Sequence, residues 1–203
     1  MKRILQVITA ASITLTLTAC LIPEKFVATI RFKPDGTYNY RYDGTAVHLA
    51  GAVHNGKGPI PPKDEIAMKA DAKKAKESPG IKRMDYQGDG RFDVLIDQDV
   101  TKEEASDLAG IERQSAKPLR IFKVYRDKAG TYSVTSMSMK PKDRDQFKAL
   151  GIKVNGTAEV FLPSNAKILK HNATGTPGLF SKSYSWKIGG VDDQPSIEFS
   201  LAQ

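Results

Sequence analysis

Cysteine is nearly missing from this chain. Cys20 is the one thiol in 203 residues, which excludes an intrachain disulfide and a thiolate metal cluster. Histidine is almost as scarce, with His48, His54 and His171. His48 and His54 stand six residues apart, a spacing that does not share a helical face, and no carboxylate or cysteine accompanies them locally, so no metal site is expected. No G-x-S-x-G elbow and no H-E-x-x-H pair occurs, and no glycine-rich phosphate cradle follows a strand. The acids Asp85, Asp89, Asp93, Asp97 and Asp99 lack the D-x-D-x-D-G order of a calcium loop and read as turn and exposed-face residues. No catalytic residue and no cofactor is expected, and the chain does not read as an enzyme. A bilayer-spanning apolar run is also lacking. The longest uncharged stretch, Ile4 to Ala19, is diluted by Gln6, Ser12 and four threonines and falls short of the roughly 20 residues a spanning helix needs.

What that stretch does have is a leader's layout. Met1-Lys2-Arg3 is a short positive start, and the apolar core ends in small residues, the pattern of a secretory signal peptide over residues 1–19. Leu17-Thr18-Ala19-Cys20 resembles the lipobox of bacterial lipoproteins. That resemblance implies cleavage between Ala19 and Cys20, a diacylglyceryl group on the Cys20 thiol and an acylated amine, so the first partner is a membrane held through acyl chains. It also implies sorting: Leu21 stands where an inner-membrane lipoprotein would carry aspartate, so a Gram-negative source would place the protein on the periplasmic face of the outer membrane. One acyl chain binds only marginally, whereas two or three make attachment effectively permanent. Residues 20–25 then read as the lipidated cysteine and a short tether.

Residues 26–203 read as one extracytoplasmic domain. Lys2 and Arg3 leave with the leader, so the basic excess falls from +8 to +6. Such an excess favours anionic surfaces, and outside the cytoplasm the nearest is a membrane rather than nucleic acid. The expected fold is α+β: a curved antiparallel β-sheet, a partial barrel of hairpins, with two to four short helices packed on it. Phe26, Ala28, Ile30 and Phe32 alternate with polar neighbours, Pro34-Asp35-Gly36 turns the chain, and Tyr38, Tyr40 and Tyr42 return on one face. A second hairpin runs through Met84 and Tyr86, Gly88-Asp89-Gly90, then Phe92, Val94 and Ile96. A third pairs Leu119–Arg126 with Thr131–Met139.

Helices are expected at four places. Thr45 caps a short one with Ala46, Leu49, Ala50 and Val53 on one face. Asp64 caps the main one, to Ser78, with a thin face of Ile66, Ala67 and Ala70. Thr101-Lys102-Glu103-Glu104 is a capping box, and Lys142–Leu150 docks through Phe147 and Leu150. Strands then dominate, through Val154, Ala158 and Val160, Lys167–Asn172, Tyr184–Ile188 and Ile197–Leu201.

Val160-Phe161-Leu162-Pro163, then Ala166, Ile168 and Asn172, then Tyr184-Ser185-Trp186-Lys187-Ile188, resemble the end of LppM-like envelope lipoproteins. The resemblance implies a strongly curved sheet enclosing an apolar cavity for lipid or glycolipid. Members usually anchor by a C-terminal membrane helix, whereas this chain carries the lipobox. Two functional readings follow. In one, the domain binds a lipid or other amphiphile, lined by Tyr38, Tyr40, Tyr42, Tyr184 and Trp186; the alternative for the tyrosine row is an aromatic patch on a filled core. In the other, an envelope scaffold holds a protein partner through a sheet edge or through the basic surface of Lys69, Lys73, Lys74, Lys76, Lys82 and Arg83.

Overall fold

The computed structural model describes residues 21–54, 58–101, 121–136, 141–179 and 181–202. The leader, Cys20 and the capping box at Lys102–Glu104 lie outside them. Among the described residues ten strands and three helices are defined. In chain order they are β1 (Leu21–Phe32), β2 (Tyr38–His48), α1 (Leu49–His54), α2 (Pro62–Ala75), β3 (Ile81–Gly88), β4 (Arg91–Val100), β5 (Phe122–Arg126), β6 (Thr131–Ser136), α3 (Pro141–Ala149), β7 (Asn155–Phe161), β8 (Ala166–His171), β9 (Ser183–Ile188) and β10 (Ser196–Leu201). The class is α+β, in two curved, open sheets. One has the order β3-β4-β2-β1-β7-β9, the other β5-β6-β10-β8.

All three expected hairpins form, because each has a period-2 apolar face and a turn that tolerates its backbone. In the first, Gly36 takes φ 87°, and Asp35 Oδ1 accepts from Thr37 N at 2.9 Å. The large sheet is mixed, not purely antiparallel: β1 runs parallel to β7, in register from Lys25–Asn155 to Arg31–Phe161. A parallel neighbour needs a long crossover, here more than a hundred residues, so no local turn signal announces it.

The buried rows explain the register. Trp186, Ala158, Ala28, Tyr42 and Ile96 lie side by side across five strands. Two alanines in the middle make room for the large rings on either side, the large-small alternation close packing demands. The sheets meet through rings. Phe199 of β10 lies edge-on to Phe32 of β1 at 4.8 Å and stacks on Tyr132 of β6 at 5.3 Å.

Asn172 ties the two sheets by hydrogen bonds. Its Oδ1 accepts from Trp186 Nε1 of β9 and from Ser196 N of β10, both at 2.8 Å, and its Nδ2 donates to Gln194 O. Trp186 is buried, so Asn172→Ala would strand its indole N–H. We expect a loss of about 2 kcal/mol, read as a lower urea midpoint at unchanged slope.

Several expectations move. The tether at residues 21–25 is strand: β1 begins at Leu21, opposite His48, and a bulge between Pro23 and Lys25 accommodates the proline. Thr45 to His48 complete β2 rather than cap a helix, so α1 starts only at Leu49. The cap of α2 is Pro61, with Pro62 in the first turn; Asp64 makes no capping bond. Its buried face is Met68 and Ala72, while Ile66 is 69% exposed. Phe147 of α3 does dock, onto a satellite cluster of Ile22, Val47 and Ala52.

Candidate functional site

A cleft of about 1030 Å³ opens beside the first half of β1. Its walls come from five separate stretches: Glu24 and Lys25 of β1, Thr45 of β2, Gln87 to Phe92 at the β3–β4 turn, Lys148 to Asn155 from α3 into β7, and Gly189 to Asp192 after β9. Most of the exposed lining is apolar; the half-buried Ile152 and Val191 and the buried Phe92 and Val154 belong to it, and cations rim it.

Local sequence builds each wall. Phe26, next to Lys25, turns inward and stacks on Tyr42 at 5.6 Å. Glycines on both flanks admit it: a Cβ on Gly156 would lie 2.5 Å from the Phe26 ring, and one on Gly44 would lie 2.1 Å from Lys25 O. The loop after β9 is set by Asp193, whose Oδ2 accepts from Gly189 N and Gly190 N at 2.6 and 3.1 Å. Asp192 beside it reaches α3, with Oδ2 2.6 Å from Lys148 Nζ and Oδ1 3.3 Å from Arg144 Nη1. The Lys148 hydrogen bond, with Arg144, holds the Asp192 carboxyl below its ordinary range.

The charges of the rim divide into paired and unpaired. Arg91 Nε lies 3.3 Å from Glu24 Oε2, and Lys148 pairs with Asp192. Lys25 and Lys153 are exposed, and among the described residues neither has a carboxylate partner. Lys25 lies opposite Asn155 in the β1–β7 pairing, two residues from Lys153, so both cations belong to one side of the cleft. An apolar floor under unneutralised ammonium groups has the chemistry to hold an anionic head with a hydrocarbon body.

The residues singled out from sequence sit elsewhere. Tyr38, Tyr40 and Tyr42 are buried in the main core at 3%, 5% and 0% exposure, as is Trp186, with Tyr184 packed at its margin. None lines this cleft. The tyrosine row is thus an aromatic patch of a filled core; Tyr42 Oη donates to Thr45 O at 2.9 Å, and burial pushes its pKa up. The basic surface is less free than it reads. Lys76 is ion-paired with Asp85, and Arg83 Nη2 and Nε reach Asp43 and Asp93 at 2.8 and 2.9 Å. Lys69 stands over the Tyr86 ring at 5.8 Å, and Lys73, Lys74 and Lys82 face solvent. Among the described residues no group of three His, Cys, Asp or Glu side chains is placed to hold a metal, and no helix is long and apolar enough to cross a membrane.

His48 closes β2 near this region and is 6% exposed, its N–H donating to Gly90 O at 2.8 Å. Burial lowers its pKa, with Asp71 opposing more weakly. The unfolded chain therefore binds the proton more readily than the folded one. The stability this residue allows is full above about pH 6.5 and drains away as pH falls toward the lower folded value. His48→Gln is expected to flatten the fall in melting temperature between about pH 7 and pH 5.

No family model matches the chain, and no curated protein matches it. Among solved structures it is similar to the folded domain of LppM from Mycobacterium tuberculosis, determined by NMR, with a TM-score of 0.42 and 14% identity over 88% of this chain and 90% of that one. At that similarity no residue role passes from that protein to this one.

Proposed function

We propose that this protein is a lipoprotein anchored through Cys20 and that its domain takes an anionic amphiphile, a lipid or a similar molecule, into the cleft beside β1. The observation that carries this is the coincidence of three features at one end of β1: the apolar residues Phe92, Ile152, Val154 and Val191 in the cleft, the exposed Lys25 and Lys153 with no carboxylate partner among the described residues, and the start of β1 at Leu21. Strand geometry puts Lys25 about 13 Å from Leu21, so a lipidated Cys20 holds the cleft mouth within reach of headgroups. An amphiphile leaving the bilayer there keeps its charge beside lysine and its chain out of water.

Native mass spectrometry of the protein purified from membranes tests this. A one-to-one adduct with an anionic lipid is expected, lost when Lys25 and Lys153 are both changed to Glu. Absence of any adduct, or an adduct indifferent to those substitutions, counts against the reading. The scaffold reading would route a partner through the basic helix, where the pairing of Lys76 and Arg83 leaves a weaker patch. A dominant protein crosslink through Lys69 to Lys82 in cells would favour it.

A further inference from the structure

We propose that a second pocket, at the other end of β1, is a binding site for a carboxylate group, centred on Arg126. It encloses about 390 Å³ between the β1–β2 turn, the β5–β6 turn and the end of β10, with Pro34, Asp35, Arg126, Lys128, Tyr132 and Ala202 in its lining. About 23 Å of strand separates Lys25 from Phe32, so this pocket is distinct from the amphiphile cleft and does not depend on it.

Arg126 ends β5 opposite Tyr132, with its guanidinium carbon 5.6 Å from the Tyr132 ring centroid. Its Nε is buried with no hydrogen-bond partner, and no carboxylate among the described residues lies within ion-pair distance. The side chain as a whole is half-buried, so its charge is only partly solvated, and an anion entering the pocket would pair with the fork of the guanidinium. The nearest acids, Asp127 in sequence and Asp35 in the pocket lining, are held in turns. Asp127 Oδ1 accepts from Thr131 N at 2.8 Å, and Asp35 Oδ1 accepts from Thr37 N and Thr37 Oγ1 at 2.9 and 2.7 Å. Tyr132 lines the same space, and its hydroxyl makes no hydrogen bond among the described residues.

The walls are preformed. Asn165 Nδ2 donates to Pro34 O at 3.2 Å and to Ala202 O at 2.8 Å, so one amide braces two sides of the pocket. Preorganised walls spare a ligand the entropy of ordering them. The charge balance selects the ligand. Arg126 and Lys128 favour an anion, whereas the Asp35 carboxylate in the lining disfavours a second negative charge. A planar monoanion matches the fork of a guanidinium, and an amide N–H beside it can face Asp35. The class is therefore the terminal carboxylate of a peptide or an N-acyl amino acid, rather than a phosphate dianion.

The test is a titration of the mature full-length protein in neutral detergent, followed through the Arg126 Nε–Hε NMR resonance. N-acetylglycine should shift it saturably, and N-acetylglycinamide, which lacks the charge, should not. Arg126→Gln should weaken binding of N-acetylglycine about tenfold or more. The acid–amide comparison uses the unaltered protein, so the folding of a variant does not enter it. A non-saturating shift, an equal response to the amide, or equal or tighter binding of inorganic phosphate would each overturn the assignment, and none of these bears on lipid binding in the cleft.

Discussion

Cys20→Ser is expected to abolish lipidation: the variant takes no label when cells are fed radiolabelled palmitate, and only an uncleaved leader can still hold it to the membrane. The argument is one of transfer free energy. Each buried methylene contributes about 0.8 kcal/mol, and one acyl chain is marginal by itself, so the proposed anchoring rests on several chains at Cys20. Among the described residues no helix is long and apolar enough to cross a bilayer. The two exposed lysines of the cleft add only a weak, salt-sensitive attraction. Carbonate extraction and palmitate labelling read the change together. A serine variant that still took up palmitate, or that stayed with the membrane in high salt after its leader had been cut, would mean a second anchor.

Phe199→Ala is expected to be the most damaging single change in the core. Its side chain is fully buried and meets Phe32 and Tyr132, one ring from each sheet. Truncation removes two of the ring contacts of the small-sheet cluster and leaves the Phe32–Tyr132 pair and the Asn172 hydrogen bonds to hold the sheets together. The cavity and the lost transfer energy cost about 4 kcal/mol together. For a domain of this size that is a fall of about 10 °C in melting temperature. Val134, also buried but smaller, should cost less when shortened. If Phe199→Ala melts within a degree or two of the parent, the sheets are held by something other than this ring cluster.

Much of this architecture is legible in the chain because strands with one wet face write their pattern openly. Phe26 to Phe32 and Phe92 to Ile96 alternate cleanly, and each is bounded by a glycine turn. Two kinds of feature are not legible. One is the choice of face on a helix poor in large apolar residues: α2 buries Met68 and Ala72 and leaves Ile66 in water, since alanines on every side give no periodic signal. The other is anything that joins distant segments. The parallel pairing of β1 with β7 has no local turn to announce it, and Pro23 reads as tether until a bulge is seen to carry it inside a strand. The cleft suffers most, because Lys25, Phe92, Val154 and Val191 belong to four regions that only the folded sheet brings together. Aromatic residues are conspicuous in a sequence, which is why the tyrosine row attracts a binding role. Large rings are also the best core fillers, and here the core takes them.

The central claim is that the amphiphile enters beside the first half of β1. Photo-crosslinking measures that most directly: an anionic lipid bearing a diazirine in its acyl chain is mixed into vesicles with the lipidated protein, irradiated, and the adducts are mapped by peptide mass spectrometry. Adducts confined to the peptides carrying Phe92, Ile152 to Val154 and Val191 are the predicted result. Adducts on Tyr38 to Tyr42 or on Tyr184 and Trp186, or a yield no higher than that of a zwitterionic lipid, would contradict it.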